Sequence, residues 1–299
     1  MTTTVQPGSV VVGVDGSPHS DAAVEWAADY AVAHHAPLCL LHAAGDLGDN
    51  LIPFKVDAQE MQAKASRPIT DRARQLVAER APELTVTVEA PFADARHALV
   101  ELRGAAMVVI GTRGRGPLAS RLLGSVSQAV VAHASCPVTV VRPSEGAGDT
   151  HLAPVVVGVD LDGSAQAALE VAFEIASMGD RALDAVHAWT THDTTYIDAA
   201  SYTQRLEVKE AHERGFAETM AGFAEKYPDV AVTPMLVDDH PVAALVRASE
   251  SAAHVVLGSR DQGRLTRSFG SVSRAVVEHA HCPVTVVRPV AAHQDGGTA

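Results

Sequence analysis

The sequence predicts an α/β protein: two tandem doubly wound domains, each a five-stranded parallel sheet. Three observations lead there. The chain repeats itself, with VVVGVD at 10–15 and 155–160, CPVTVVRP at 136–143 and 282–289, and GSVSQAVVAHASCP (124–137) matched by GSVSRAVVEHAHCP (270–283). Short β-branched runs recur within each copy, as strands buried on both faces of a parallel sheet require. The longer segments between them carry helix-period apolar residues, and alternation of the two element types defines the α/β class.

In the first copy the strands read as SVVVGVD (9–15), PLCLLHAA (37–44), LTVTVEA (84–90), AMVVIGT (106–112) and CPVTVVR (136–142). Between them, 20–35 and 58–81 read as amphipathic helices. Further matches, AVEWAAD (23–29) with ALEVAFE (168–174) and LLHAA (40–44) with AVHAW (185–189), set the unit at about 145 residues, near the usual size of one domain. A period that long excludes a solenoid and marks a domain duplication. The expected division is 1–143 for the first domain, a polar linker at 144–153, 154–290 for the second domain and a tail at 291–299.

Composition narrows the function. The 299 residues carry a formal net charge of -13, which argues against a protein held to nucleic acid by phosphate neutralisation. Aromatic residues make up 4%, leaving no stacking platform for bases beside the basic segment 111–121. No apolar run approaches the roughly 20 residues of a membrane span, and MTTTVQPGSVVVGVD lacks the layout of a secretory signal. Three cysteines (Cys39, Cys136, Cys282) argue against a disulfide framework and for a reducing cytoplasm. Cys136 and Cys282 follow His133 and His279 by three residues, too few ligands for a metal centre, and are expected to be buried thiols. His42 and His187 end matching strands and read as structural.

The chemistry concentrates in GTRGRGPLASRLLGSVS (111–127), with four glycines, three arginines and no acid. Glycine-rich turns present backbone N–H groups to anions, and Gly124-Ser125 opens a helix whose N-terminus favours negative charge. Asp15, at the end of the first strand, would flank the same crevice if the first and fourth strands are neighbours. Asp15 also reads as a helix N-cap or turn former, and the glycine loop as a tight crossover. Gly111 and Gly116 have Walker-A spacing, but Pro117 and Leu118 stand where Lys and Ser/Thr are required. Neither G-x-G-x-x-G after the first strand nor G-x-S-x-G occurs.

What is present is Gly111-x-x-Gly114, nine residues, then Gly124-Ser125. With the opening VGVDGS and the terminal strand CPVTVV, this chain resembles the universal stress protein family, in its two-domain form. The resemblance covers almost everything except the linker and the last ten residues. It implies strand order 3-2-1-4-5 and bound ATP, with Mg²⁺ as a candidate companion. Asp15 would meet the ribose or adenine, with Gly13 and Val14 beside it and the Ala43 backbone near the adenine. Ile110, Gly111, Arg113 and Gly114 would wrap ribose and phosphates, while Gly124, Ser125, Val126 and Ser127 would bind the phosphates.

The matching positions of the second half are Gly158, Val159, Asp160, Ala188, Gly258, Arg260, Gly270, Ser271, Val272 and Ser273. There Asp261 replaces Gly114, the loop is one residue shorter and GVDLDGS replaces GVDGSPHS. A carboxylate facing a triphosphate is unfavourable without a cation, so ATP is expected in the first half and weaker or absent binding in the second.

The terminal strands resemble the edge through which single-domain members dimerise, which implies an internal pseudo-dimer through 136–142 and 282–288. Association of two chains and an unidentified protein partner stay open; nucleic acid and membrane are not expected. No general base, catalytic lysine or arginine finger stands beside the loop. The expectation is therefore a nucleotide-dependent regulator of the stress response, with no catalytic residue and no bound structural metal. A slow ATPase or nucleotidyl-transferring enzyme on the same scaffold is the alternative.

Overall fold

The computed structural model describes residues 3–43, 55–114, 123–143, 153–190, 199–259 and 270–288. The first half runs β1 (Thr4–Gly13), α1 (Pro18–Ala33), β2 (Leu38–Leu41), α2 (Lys55–Arg80), β3 (Val86–Glu89), α3 (Ala95–Val100), β4 (Arg103–Gly111), α4 (Ser125–His133) and β5 (Val138–Val141). The second repeats the plan as β6 (Val155–Gly158), α5 (Gln166–Met178), β7 (Leu183–Trp189), α6 (Ala199–Met220), α7 (Phe223–Lys226), β8 (Val232–Asp238), α8 (Pro241–Ala248), β9 (His254–Gly258), α9 (Ser271–His279) and β10 (Val284–Val287). All ten strands form one sheet in the order β3-β2-β1-β4-β5-β10-β9-β6-β7-β8. Each half is therefore parallel, in the order 3-2-1-4-5.

Alternation along the buried strands sorts side chains into layers. Val10 and Val12 pack under α1 and α2, Val11 against α3 and α4. The small face of α1 (Ala23, Ala27, Ala28, Ala31) is fully buried and lets the helix lie close to the sheet. LTVTVEA alternates valine with threonine, and β3 is accordingly a half-buried edge strand. At the other edge β8 carries Pro234, which has no N–H to offer a further strand.

The halves join where β5 and β10 pair antiparallel, Thr139 opposite Thr285. Their hydroxyl oxygens lie 2.7 Å apart, and Thr285 also meets His254 Nε2 at 2.7 Å. At the pseudo-symmetric place in the first half, Thr139 donates to Met107 Sδ instead. The core beneath α3, α4, α8 and α9 runs unbroken across the seam, and on the opposite face Trp26 of α1 stacks on His254 at 5.3 Å. Cys282 is buried and Cys136 partly so; burial pushes their thiols up to about 12 and about 11.

Candidate functional site

β1 and β4 are hydrogen-bonded neighbours, so the residues after them share one crevice at the carboxyl ends of the strands, where the strand order reverses. Gly13 ends β1 in a tight place, with Leu99 of α3 and Ile110 of β4 standing 3.2 and 3.3 Å from where a Cβ would sit. Val14 is buried, and its carbonyl accepts from His42 Nδ1 at 2.6 Å. This bond holds the end of β2, and Ala43 beside it, against the end of β1. His187 does the same for the Val159 carbonyl at 2.8 Å, and it also lines the cavity of the second half, its Nε2 lying 2.7 Å from His212 Nδ1.

Asp15 shapes the turn rather than capping the helix. Its Oδ1 accepts from the Ser17 N–H at 2.9 Å, while Ser17 is the N-cap of α1 and accepts from Ser20 N–H. The other carboxylate oxygen faces Gly114, where a Cβ would stand 2.5 Å from it. Gly111 is forced by a different neighbour: its Cβ would meet the His19 backbone at 2.7 Å. Internal packing thus requires glycine at 111, while at 114 a side chain would displace the Asp15 carboxylate.

Gly124 is different. It precedes α4 with φ -72°, a conformation open to any residue, and its missing Cβ would find nothing nearer than 3.6 Å. The atoms around that space are Thr112 O, Arg113 Cα and Gly114 N. Its own N–H donates to Thr112 O at 2.8 Å, which draws the helix start onto the loop. The N–H groups of Ser125, Val126 and Ser127 form the first turn, where an α-helix has no acceptors of its own. Ser127 turns inward: its hydroxyl is buried and donates to Gly111 O at 2.8 Å, so it ties α4 to β4 instead of facing the crevice.

Two arginines, Arg113 and Arg142, lie close to His19 here. Arg113 Nε is buried without a hydrogen-bond partner among the described residues. His19 is held below the usual imidazole range by burial and by Arg113 and Arg142, against the opposing pull of Asp15. Its Nδ1 lies 2.8 Å from Thr112 Oγ1. His19, Thr112 and Arg142 escaped the sequence reading; only the juxtaposition of β1, β4 and β5 brings them together.

The second half, the weaker candidate by sequence, holds a cavity of about 390 Å³, within the range of small-molecule sites. Gly158, Val159 and Asp160 form one wall, Ala188 and Gly258 lie between, and Gly270, Ser271, Val272 and Ser273 form the far wall. Arg260 and Asp261 lie outside the described residues, as do Arg115 and Gly116. Ser273 repeats the inward bond, donating to Gly258 O at 3.1 Å. At Gly270, among the described residues, only Ser273 Oγ at 3.9 Å would meet a Cβ. The altered sequence moves one role: Asp162, not Asp160, accepts from the Ser164 N–H at 2.9 Å, as Asp15 does from Ser17.

Among the described residues no group of three or more His, Cys, Asp or Glu side chains could hold a metal ion, and no helix is long and apolar enough to cross a membrane.

A doubled, doubly wound sheet with a helix N-terminus and an aspartate at each switch point defines a tandem α/β protein with matching strand ends in its two halves. The model of the universal stress protein family matches residues 8–142 and again 152–288, and the chain belongs to that family. A universal stress protein of Mycobacterium tuberculosis is 39% identical over 287 residues, covering 93% of this chain and 96% of that protein. One from Mycolicibacterium smegmatis is 36% identical over 287 residues, covering 94% and 97%. A crystal structure of a universal stress protein from Archaeoglobus fulgidus shares the fold, with a TM-score of 0.63 at 20% identity over 95% of this chain and 97% of that one.

Proposed function

We propose that the protein is an ATP-binding regulator of the stress response, with one nucleotide held in each half and occupancy setting its conformation. The observation that carries this reading is the room at Gly124 and Gly270, where among the described residues a Cβ would meet nothing nearer than 3.6 and 3.9 Å. Neither positive φ nor internal packing demands glycine there, yet both halves keep it at a helix N-terminus, where a side chain would project toward the loop. Such a space suits an anion approaching backbone N–H groups.

The residues present fit the triphosphate. Arg113 Nε is a buried donor lacking an acceptor among the described residues, and the first-turn N–H groups of α4 and α9 are oriented donors. Asp15 and Asp160 would accept from ribose hydroxyls, since a carboxylate would repel phosphate. The backbone of Ala43 and Ala188 would lie along the base. Mg²⁺ would come with the phosphates, held mainly by them and by water. The inward bonds of Ser127 and Ser273 favour contact through their backbone N–H groups over their hydroxyls.

The test compares ATP with adenosine by calorimetry on the intact chain, alongside phosphate release. The reading expects ATP to bind at least about a hundredfold more tightly, about 2.7 kcal/mol, without sustained turnover. Equal affinity for adenosine would remove the phosphate cradle. Release above roughly one phosphate per second would make the protein an enzyme.

A further inference from the structure

Each half ends its last strand with an arginine that leaves its own domain. Arg142, directly after β5, extends Nη2 to the carbonyl oxygens of Val277 (2.7 Å) and Glu278 (2.5 Å) in the last turn of α9. Arg288, directly after β10, extends Nη2 to the carbonyls of Val131 (3.1 Å) and Ala132 in the last turn of α4. These are carbonyls that an α-helix cannot satisfy internally, and they lie at the negative end of the helix dipole, where a cation is favoured. The carbonyls one turn earlier are met from within: His279 Nδ1 donates to Ala275 O at 2.8 Å and His133 Nδ1 to Ala129 O at 3.0 Å.

α9 spans only nine residues, ~13 Å at 1.5 Å per residue, and α4 is equally short. So short a helix has little hold of its own. Its N-terminal turn faces the crevice of one half while its C-terminal turn is held by the other half's arginine. We propose that Arg142 and Arg288 are positioning residues, each seating the anion-binding helix of the opposite half, so that neither crevice is complete without the other domain. The duplication then has a physical purpose beyond doubling the number of sites. The inference rests on the nucleotide reading above for its ligand, but not for its geometry.

The test uses the full chain with one crevice closed at a time. Arg142→Lys keeps a cation near Arg113 but loses the planar donor array that spans two carbonyls. In a Gly124→Val background, which leaves the second crevice, Arg142→Lys is expected to weaken ATP binding about tenfold. In a Gly270→Val background, which leaves the first, the same change is expected to cost clearly less than in the second, acting there only through the nearness of Arg142 to Arg113. Arg288→Lys should give the opposite pattern. Equal losses in both crevices, or loss only in the arginine's own half, would overturn the proposal. Amide exchange separates this failure from failure of the nucleotide reading. Arg142→Lys should speed exchange in residues 276–280 without any ligand, and unchanged exchange there overturns the positioning role. Absence of ATP binding to the unaltered chain would instead overturn the nucleotide reading.

Discussion

The Asp15 carboxylate occupies the space that a side chain on Gly114 would need: Oδ2 lies 2.5 Å from the position of the absent Cβ. The acid after β1 and the glycine after β4 are thus neighbours, and a side chain at 114 would have to push the Asp15 carboxylate aside.

Gly114→Ala should therefore displace Asp15 or the loop. ATP affinity of the first crevice is expected to fall about tenfold, or about 1.4 kcal/mol, with the second crevice unaffected. Calorimetry in a Gly270→Val background measures it, and an affinity within twofold of the Gly270→Val parent would show that the pair does not shape the site.

Much of this architecture was legible before any coordinates. Repetition of VVVGVD and CPVTVVRP announced the duplication, and the β-branched runs announced buried parallel strands, because burial on both faces leaves few other compositions available. The seam was legible through the resemblance of the terminal strands, and β5 does pair with β10. Other features were not. The loop glycines look alike in sequence, yet Gly111 and Gly114 answer to packing and Gly124 to open space, a distinction that only neighbours distant in sequence can make. Likewise nothing in the motifs that contain His19 and Arg142 marks either as part of a site; the sheet brings both close to Arg113. β1 begins at Thr4 rather than at residue 9, because its N-terminal portion pairs irregularly with β4.

Ser127 and Ser273 act as internal ties. Ser127→Ala removes the donor to Gly111 O and leaves that carbonyl short of a partner, at an expected cost of about 1–3 kcal/mol. Ser273→Ala should cost a similar amount in the second half, through Gly258 O. Urea unfolding measures both. A change below about 0.5 kcal/mol would return these hydroxyls to the crevice as ligand donors.

Stability should fall with acid, and His254 should account for part of the fall. Burial, aided by Arg181, pushes its imidazole down to about 3, and its Nδ1 has no partner among the described residues. The folded protein thus holds this ring neutral while the unfolded chain protonates it near 6.5. The unfolded state binds more protons between those values, so the contribution is complete above about 6.5 and is lost as pH falls toward 3. His19, His34 and His212 are shifted in the same direction. His254→Met copies Met107, its counterpart across the seam, and should flatten the pH dependence between 7 and 5. Identical pH profiles for variant and parent would contradict the assignment.

The central claim is that an anion sits at the helix N-terminus of each half, in the space that Gly124 and Gly270 leave open. ATP stoichiometry by calorimetry, in the unaltered chain and in Gly124→Val, Gly270→Val and the double variant, tests it most directly. Two, one, one and none per chain are expected, with folding intact in all four because among the described residues neither glycine has a neighbour nearer than 3.6 Å at its missing Cβ. Stoichiometry that ignores both substitutions would place the ligand elsewhere and contradict the account.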